Sequence, residues 1–218
     1  MAGAGEGRAA GAAGDGPTFT AGGRPPLLLA TRNPHKLREF GRLLAPAGIA
    51  VVALPEAIVL PPEDGETFAD NALPKARTAA AATGRVAFAD DSGIEAAALG
   101  GRPGVRSARY AGDGASDERN LARLMAQAPV GSALRYVCVL AYADPAAGIE
   151  RLFCGECRGA LAAEAAGDGG FGYDPAFLPE GEWGGRTMAQ LTDSDKDAIS
   201  HRGQAVRRLL AWLSADPG

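Results

Sequence analysis

The sequence predicts an α/β fold, and three observations carry that expectation. From Pro26 onward, short apolar runs alternate with helix-like segments. Two long strand-like stretches, 133–142 and 150–161, are joined by Ala143-Asp144-Pro145-Ala146-Ala147-Gly148, which reads as a hairpin turn. The run Arg85-Val86-Ala87-Phe88-Ala89 leads directly into Asp90-Asp91-Ser92-Gly93, placing two acids where a buried strand should emerge, the place where open α/β sheets keep their ligands. A length of 218 residues with 46% hydrophobic content suits one domain with a sizeable core, or one domain carrying a lobe.

Residues 1–24 are dominated by Gly and Ala without a periodic apolar pattern. Such a segment cannot bury enough surface to offset its ordering entropy, so a disordered tail is expected there and a folded domain over 25–218. Leu27-Leu28-Leu29-Ala30 reads as the first strand, 34–44 as a helix with Pro34 in its first turn, and 49–54 as a second strand. A loop rich in Pro and acids follows over 55–66. The second helix is expected over 67–82, kinked or delayed at Pro74, whose missing N–H removes a hydrogen bond. After the strand into Asp90-Asp91, a helix starts at Ser116 or Asp117 and ends near Gln127. The hairpin strands, a Gly-rich loop and one helix over 195–214 close the chain.

The formal net charge is -4, so no global basic field favours nucleic acid or an anionic membrane, and a bound phosphate must meet local cations. No apolar stretch is long enough to span a bilayer and no leader pattern marks export, which makes the cytoplasm the expected compartment. Three cysteines are too few for a disulfide framework. Cys154 and Cys157 have the spacing of half a zinc or redox motif, but they lie in a strand, where residues three apart face opposite ways, so packing is the preferred reading.

Several segments carry chemistry. Adjacent Asp90 and Asp91 repel each other unless a cation or donors compensate, which suggests a metal or phosphate site, although Asp-Ser-Gly is also good turn chemistry. Thr31-Arg32-Asn33-Pro34-His35-Lys36 lies between the first strand and helix, where free N–H groups, the dipole and two cations suit phosphate; a capped helix start with solvated cations is the alternative. Gly169-Gly170-Phe171-Gly172-Tyr173-Asp174-Pro175 either offers a stacking aromatic to a nucleobase or forms a hairpin loop with a core Phe. On the last helix Arg202 shares the apolar stripe of Ile199, Val206, Leu209, Leu210 and Leu213. Its inward guanidinium needs an anion, with Lys196 and His201 nearby; a ligand is the favoured partner and an internal Asp or Glu the alternative. His201 alone reads as a surface histidine.

Taken in order, Ala30 to Lys36, Thr67-Phe68-Ala69-Asp70-Asn71-Ala72, Ala89 to Ile94, Leu99 to Gly112, Gly169 to Pro175, and Lys196 with Ala198 to Ala205 resemble the inosine triphosphate pyrophosphatase, or Ham1-like, family. The resemblance spans about Leu27 to Leu213. It implies an elongated mixed α/β fold with substrate in a cleft between two lobes, a homodimer, and Mg²⁺-dependent hydrolysis of ITP, dITP and XTP to monophosphate and pyrophosphate, cleansing the nucleotide pool.

By matching position, the resemblance makes Asp91 the general base and a metal-associated carboxylate, with Glu63 the second metal ligand and Glu66 a competitor for that place. Asp90 is left supporting the turn. Thr31, Arg32, Asn33, Pro34, His35, Lys36, Lys75 and Ser92 would surround the triphosphate. Phe171, Gly172, Tyr173 and Asp174, with Lys196, His201 and Arg202, would face base and sugar. Departures from the family pattern stand at Arg32, where a small residue is more common, at Gln190, where Glu is common, and at Pro74. Two other readings compete with this one: a Maf-like pyrophosphatase acting on pyrimidine triphosphates, and a nucleotide-binding module that has lost catalysis.

Overall fold

A computed structural model describes residues 25–215; the tail expected over 1–24 lies outside the described residues. The helices and strands, in order, are β1 (Leu27–Leu29), α1 (Pro34–Leu44), β2 (Val51–Ala53), α2 (Phe68–Thr83), β3 (Ala87–Ala96), α3 (Asp117–Gln127), β4 (Ala133–Asp144), β5 (Ile149–Leu161), β6 (Phe177–Pro179), α4 (Asp193–Ile199) and α5 (His201–Ala215). The strands form one mixed sheet in the order β2-β1-β3-β4-β5-β6, parallel across β2, β1 and β3 and antiparallel from β3 to β6.

The length of three strands creates the two lobes. β1 and β2 are three residues each, and β1 pairs only with Ala87 and Phe88 of β3. There the sheet is sandwiched: α2 lays its small face, Ala72, Ala76, Ala79 and Ala80, on one side, while Phe40 and Leu44 of α1 and Ala205, Val206 and Leu209 of α5 pack on the other. β3, β4 and β5 run on past the end of β1 and build a further core around Ile94, Tyr136, Leu161, Phe177 and Leu124. No helix among the described residues is long and apolar enough to cross a membrane.

Capping chemistry explains most helix ends. Thr67 and Asp70 form a reciprocal capping box on α2, and Gly84, at φ 64°, terminates that helix in the left-handed region. α2 continues through Pro74 from Phe68 to Thr83, so the proline neither delays nor ends the helix. Near the C-terminus Thr187 and Gln190 make another capping box, so the glutamine does there what a glutamate would do.

Three sequence expectations are corrected. The strand holding the acids does not stop before them: Asp90 to Ala96 continue β3, each paired with β4, because β4 supplies hydrogen bonds after β1 has ended. The single C-terminal helix is two helices. Ser200, at φ -62° and ψ 154°, ends α4, and its hydroxyl accepts from the Gly203 amide at 3.0 Å, capping α5. The hairpin strands also extend further, to Asp144 and from Ile149, because Asp144 itself shapes the turn by accepting from the Ala146 and Ala147 amides. Cys154 is exposed and Cys157 buried, as strand alternation requires.

Candidate active site

Where β1 stops, β3 is left open on one edge, and a cavity of about 370 Å³ lies there, lined from both lobes. One wall is Thr31, Arg32, Asn33 and Lys36 at the start of α1, with Leu60, Pro61, Glu63 and Lys75. The other comprises Ser107, Ala108, Asp117, Tyr136 and residues 171–174, with His201 and Arg202. Asp91, Ser92 and Gly93 form the floor.

Strand alternation separates the two acids. Asp91 points to the α2 side, where Asn71 Nδ2 donates to its Oδ2 at 2.8 Å. Burial pushes its pKa up, and neighbouring Glu63 adds to that, while Lys75 and the Asn71 hydrogen bond oppose it. Asp90 points to the α1 and α5 side and is 1% exposed. Burial pushes this carboxyl up too, but Lys36 at 2.9 Å, Arg202 at 3.5 Å and Lys75 together hold it well below the usual carboxylate range. Asp90 is therefore a buried charge anchor within a strand and not a turn residue.

The cations are also distributed. Lys75 is buried despite following Pro74; its Nζ donates to the Asp90 carbonyl at 2.7 Å and pairs with Glu63. Lys36 and Lys75 thus reach the same strand from opposite faces. Glu63 lines the cavity, whereas Glu66 is exposed and is not part of the lining.

The expected open helix start is already closed. Asn33 Oδ1 accepts from the His35 and Lys36 amides, and Leu37 N donates to the Asn33 carbonyl. Pro34 has no N–H, so a phosphate here would meet side chains more than the helix end. Pro34 and His35 lie outside the lining; the His35 ring packs tilted by 30° against Phe171, ring centroids 5.0 Å apart. Arg32 lines the cavity, but its guanidinium donates to backbone carbonyls of the 54–58 loop.

Toward the second lobe, a charge cluster stands behind the wall. Lys196 Nζ pairs with Glu39 at 2.5 Å and Asp174 at 2.7 Å, and Arg202 pairs with Glu39 at 3.0 Å while donating to the Ser92 hydroxyl at 2.7 Å. Internal carboxylates, Glu39 and Asp90, compensate Arg202, which also lines the cavity. Lys196 is buried outside the lining, since Asp174 and Glu39 draw it inward. Burial pushes both cations' pKa values down, yet these carboxylates, with Asp90 for Arg202, leave both raised. Phe171 lies against both cations, 5.0 Å from the Arg202 guanidinium and 5.4 Å from Lys196 Nζ. His201 is buried rather than on the surface and stacks flat on Tyr136, ring centroids 4.6 Å apart. Burial, then Arg202 and Lys196, push its pKa far down, so it is neutral at pH 7. Its Nδ1 has no hydrogen-bond partner among the described residues.

The 169–175 loop is tied from three sides. Asp174 accepts from the Phe171 amide and the Tyr136 hydroxyl, Tyr173 donates to the Ser107 carbonyl at 2.7 Å, and Asp117 accepts from the Gly172 amide at 2.9 Å. Glu39, Asp117 and Tyr136 are not singled out by the sequence, and Asn71 stands there only within a matching segment, without a role. Asn71 was detectable one residue past the Thr67 capping box, whereas Glu39 resembles any solvated helix acid. Asp117 reads as an ordinary first-turn acid beside a dipole, and Tyr136 as core.

The sequence model of the Ham1 family matches residues 27–212. A dITP/XTP pyrophosphatase of Frankia alni is 50% identical over 198 residues, covering 86% of this chain and 96% of that protein. Among solved structures, a HAM1 protein from Coxiella burnetii superposes with a TM-score of 0.76 at 37% identity, covering 88% of this chain and 99% of that one. The Staphylococcus aureus Ham1 protein gives 0.74 at 36% identity, covering 87% and 98%. A match of this extent in both sequence and fold means that the chain belongs to the Ham1 family.

Proposed function

We propose that this protein hydrolyses deaminated purine nucleoside triphosphates, ITP, dITP and XTP, to the monophosphate and pyrophosphate. The observation that carries the reading is one cavity with two carboxylates and two ammonium groups at one end and an aromatic, hydrogen-bonding wall at the other. Its volume falls in the range of small-ligand sites. Residues 25–218 form the catalytic unit in this reading.

The donor set fits a hard divalent cation that arrives with substrate. Asp91 and Glu63 line the same cavity, and their mutual repulsion contributes to the raised pKa of Asp91. Among the described residues no group of three or more His, Cys, Asp or Glu is placed to hold a metal unaided. Mg²⁺ commonly uses one or two carboxylates and completes its shell with water and substrate phosphates. Asp91 and Glu63 would hold it, and when bound it supplies charge neutralisation to the phosphates.

The chain's own groups account for the remaining chemistry. Lys36 and Lys75, with Thr31, Asn33 and Ser92, hold the triphosphate. Asp91 takes the proton of the attacking water as the new O–P bond forms. The α–β bridge breaks, and its electron pair leaves with the departing oxygen. Before a cation arrives, burial holds the Asp91 pKa above that of an ordinary aspartate, which makes the free carboxylate the more basic. At the other end, the wall of Phe171, His201 and Arg202 receives the purine, where a donor toward a 6-oxo group favours hypoxanthine and xanthine; adenine presents a donor of its own and would leave the protein donor unpaired.

Product analysis on ITP, dITP, XTP, dTTP and UTP, with and without Mg²⁺, tests the reading. Pyrophosphate from the three purines only with Mg²⁺ is expected. Release of orthophosphate, or preference for dTTP and UTP, would overturn it, the latter in favour of the Maf-like alternative. We also propose a cytoplasmic homodimer, in line with the family resemblance, to be checked by light scattering against the 22.1 kDa chain mass.

A further inference from the structure

Arg32 sits among residues facing the proposed triphosphate, yet its charge is spent on neutral backbone. Nη1 donates to the Leu54 carbonyl at 2.8 Å, and Nη2 lies 2.8, 3.1 and 2.7 Å from the Pro55, Glu56 and Ile58 carbonyls. Nη2 carries only two hydrogens, so three acceptors already exceed its capacity. The carbonyls converge because the segment turns on itself, with Ile58 N donating to the Pro55 carbonyl at 3.1 Å. Carbonyl dipoles aimed at one point repel one another unless a cation fills that point. A planar guanidinium with a fixed fork of donors suits such a point; an ammonium, with three donors on one atom, cannot reach the same set.

The clasped segment runs directly into Leu60, Pro61 and Glu63 of the cavity wall. Beyond the clasp, Arg109 holds the Glu63 carbonyl at 2.6 Å, and Lys75 holds its carboxylate. Val59, between clasp and wall, is 85% exposed, while its neighbours Ile58 and Leu60 are partly buried against the core on the α2 side, so the clasp and this packing fix the segment together.

We infer that Arg32 is a positioning residue: it docks the 54–58 loop onto the start of α1 and thereby sets where Glu63 stands over the cavity. This rests on the reading of Glu63 as a carboxylate facing the substrate phosphates and their metal. Arg32 does not bind phosphate itself; its route to the reaction is through the loop.

The test combines amide hydrogen exchange over 54–66, measured without substrate or metal, with steady-state kinetics on ITP for wild type, Arg32→Lys and Arg32→Ala. Exchange over 54–66 should rise in both variants while the rest of the sheet keeps its protection. kcat should fall by roughly 10- to 100-fold, the scale of a small misplacement of a reacting group, with KM changed much less. Arg32→Lys should not restore kcat, whereas millimolar methylguanidinium added to Arg32→Ala should restore part of it and slow loop exchange. Unchanged loop exchange would overturn the inference, and so would a raised KM that Arg32→Lys repairs, the mark of a phosphate ligand. If the exchange result holds but wild type releases no pyrophosphate from ITP, the functional reading fails and the clasp stands.

Discussion

Asp90 and Asp91 are neighbours in the chain but stand on opposite faces of β3, Asp90 paired with Lys36 at 2.9 Å and Asp91 hydrogen-bonded to Asn71 at 2.8 Å. The two carboxyls are driven in opposite directions, Asp90 down and Asp91 up. The difference lies in the cations each face supplies, since both are buried. Pairs of titratable groups pushed apart in this way commonly mark a division between a structural charge and a reactive one.

Asp91→Asn is expected to lower kcat by about 10²- to 10⁴-fold, the usual weight of a general base. The folded-state pKa of Asp91 is raised, so the ionised group costs stability above that pKa and costs nothing once protonated. The variant should therefore melt at the same temperature as wild type or higher at pH 7, with the gap closing as pH falls. A clear drop in melting temperature at neutral pH would show that Asp91 supports the fold instead. For the wild type, the acid limb of kcat/KM should lie above the ordinary aspartate value of about 3.9.

The opposite sign holds for Asp90. Its pKa is depressed in the folded state, so its stabilisation is present above the unfolded value, about 3.9, and is lost as pH falls toward the folded one. Asp90→Asn leaves Lys36 and Arg202 short of a partner and should cost about 3–5 kcal/mol at pH 7. Urea unfolding between pH 2 and 7 measures both: the difference between variant and wild type should shrink in acid.

Glu39→Gln removes a carboxylate shared by Lys196 and Arg202, each of which is buried. A loss of about 3–5 kcal/mol in urea unfolding is expected. ITP turnover should suffer even where the variant remains folded, because Arg202 lines the cavity. A neutral effect on both would mean that Asp174 and Asp90 are sufficient partners for the two cations.

At Gly155 of β5 the backbone of α5 packs directly onto the strand. A Cβ there would overlap the His201 carbonyl oxygen and lie 2.6 Å from the Ala205 amide nitrogen, both backbone atoms that cannot rotate aside. Gly155→Ala should cost about 1–3 kcal/mol by overpacking and shift His201 and Arg202 together. Thermal melting and KM for ITP report the two effects; an unchanged melting temperature would show that α5 slides freely on β5.

Asp117→Ala cuts the link between α3 and the Gly172 amide. KM for ITP should rise by roughly 3- to 10-fold, consistent with about 1 kcal/mol for one hydrogen bond, and Asp117→Asn should retain most of the affinity. An unaltered KM in the alanine variant would show that Tyr173 and Asp174 hold the loop without it.

Much of the fold was legible because its signals are local. Thr67 and Asp70 mark the start of α2, Asn33 and Pro34 that of α1, and the alternation of β3 to β5 follows from a period of two. Even the break at Ser200 had a local sign, a capping serine, which the apolar stripe of Ile199 and Val206 masked. The ordered segments from Ala30 to Ala205 were enough to reveal the family.

Chain order by itself thus determined the α/β alternation, most helix caps and most of the charged residues gathered at the cleft, Glu39 and Asp117 excepted. Which charges meet was decided by tertiary structure alone. Glu39 with Lys196 and Arg202, Asp90 with Lys36, and Arg32 with the 54–58 carbonyls are separated by 22 to 163 residues in sequence. A buried charge takes whatever partner packing brings within about 3 Å. Spacing along one helix or strand sets only the face from which it reaches out.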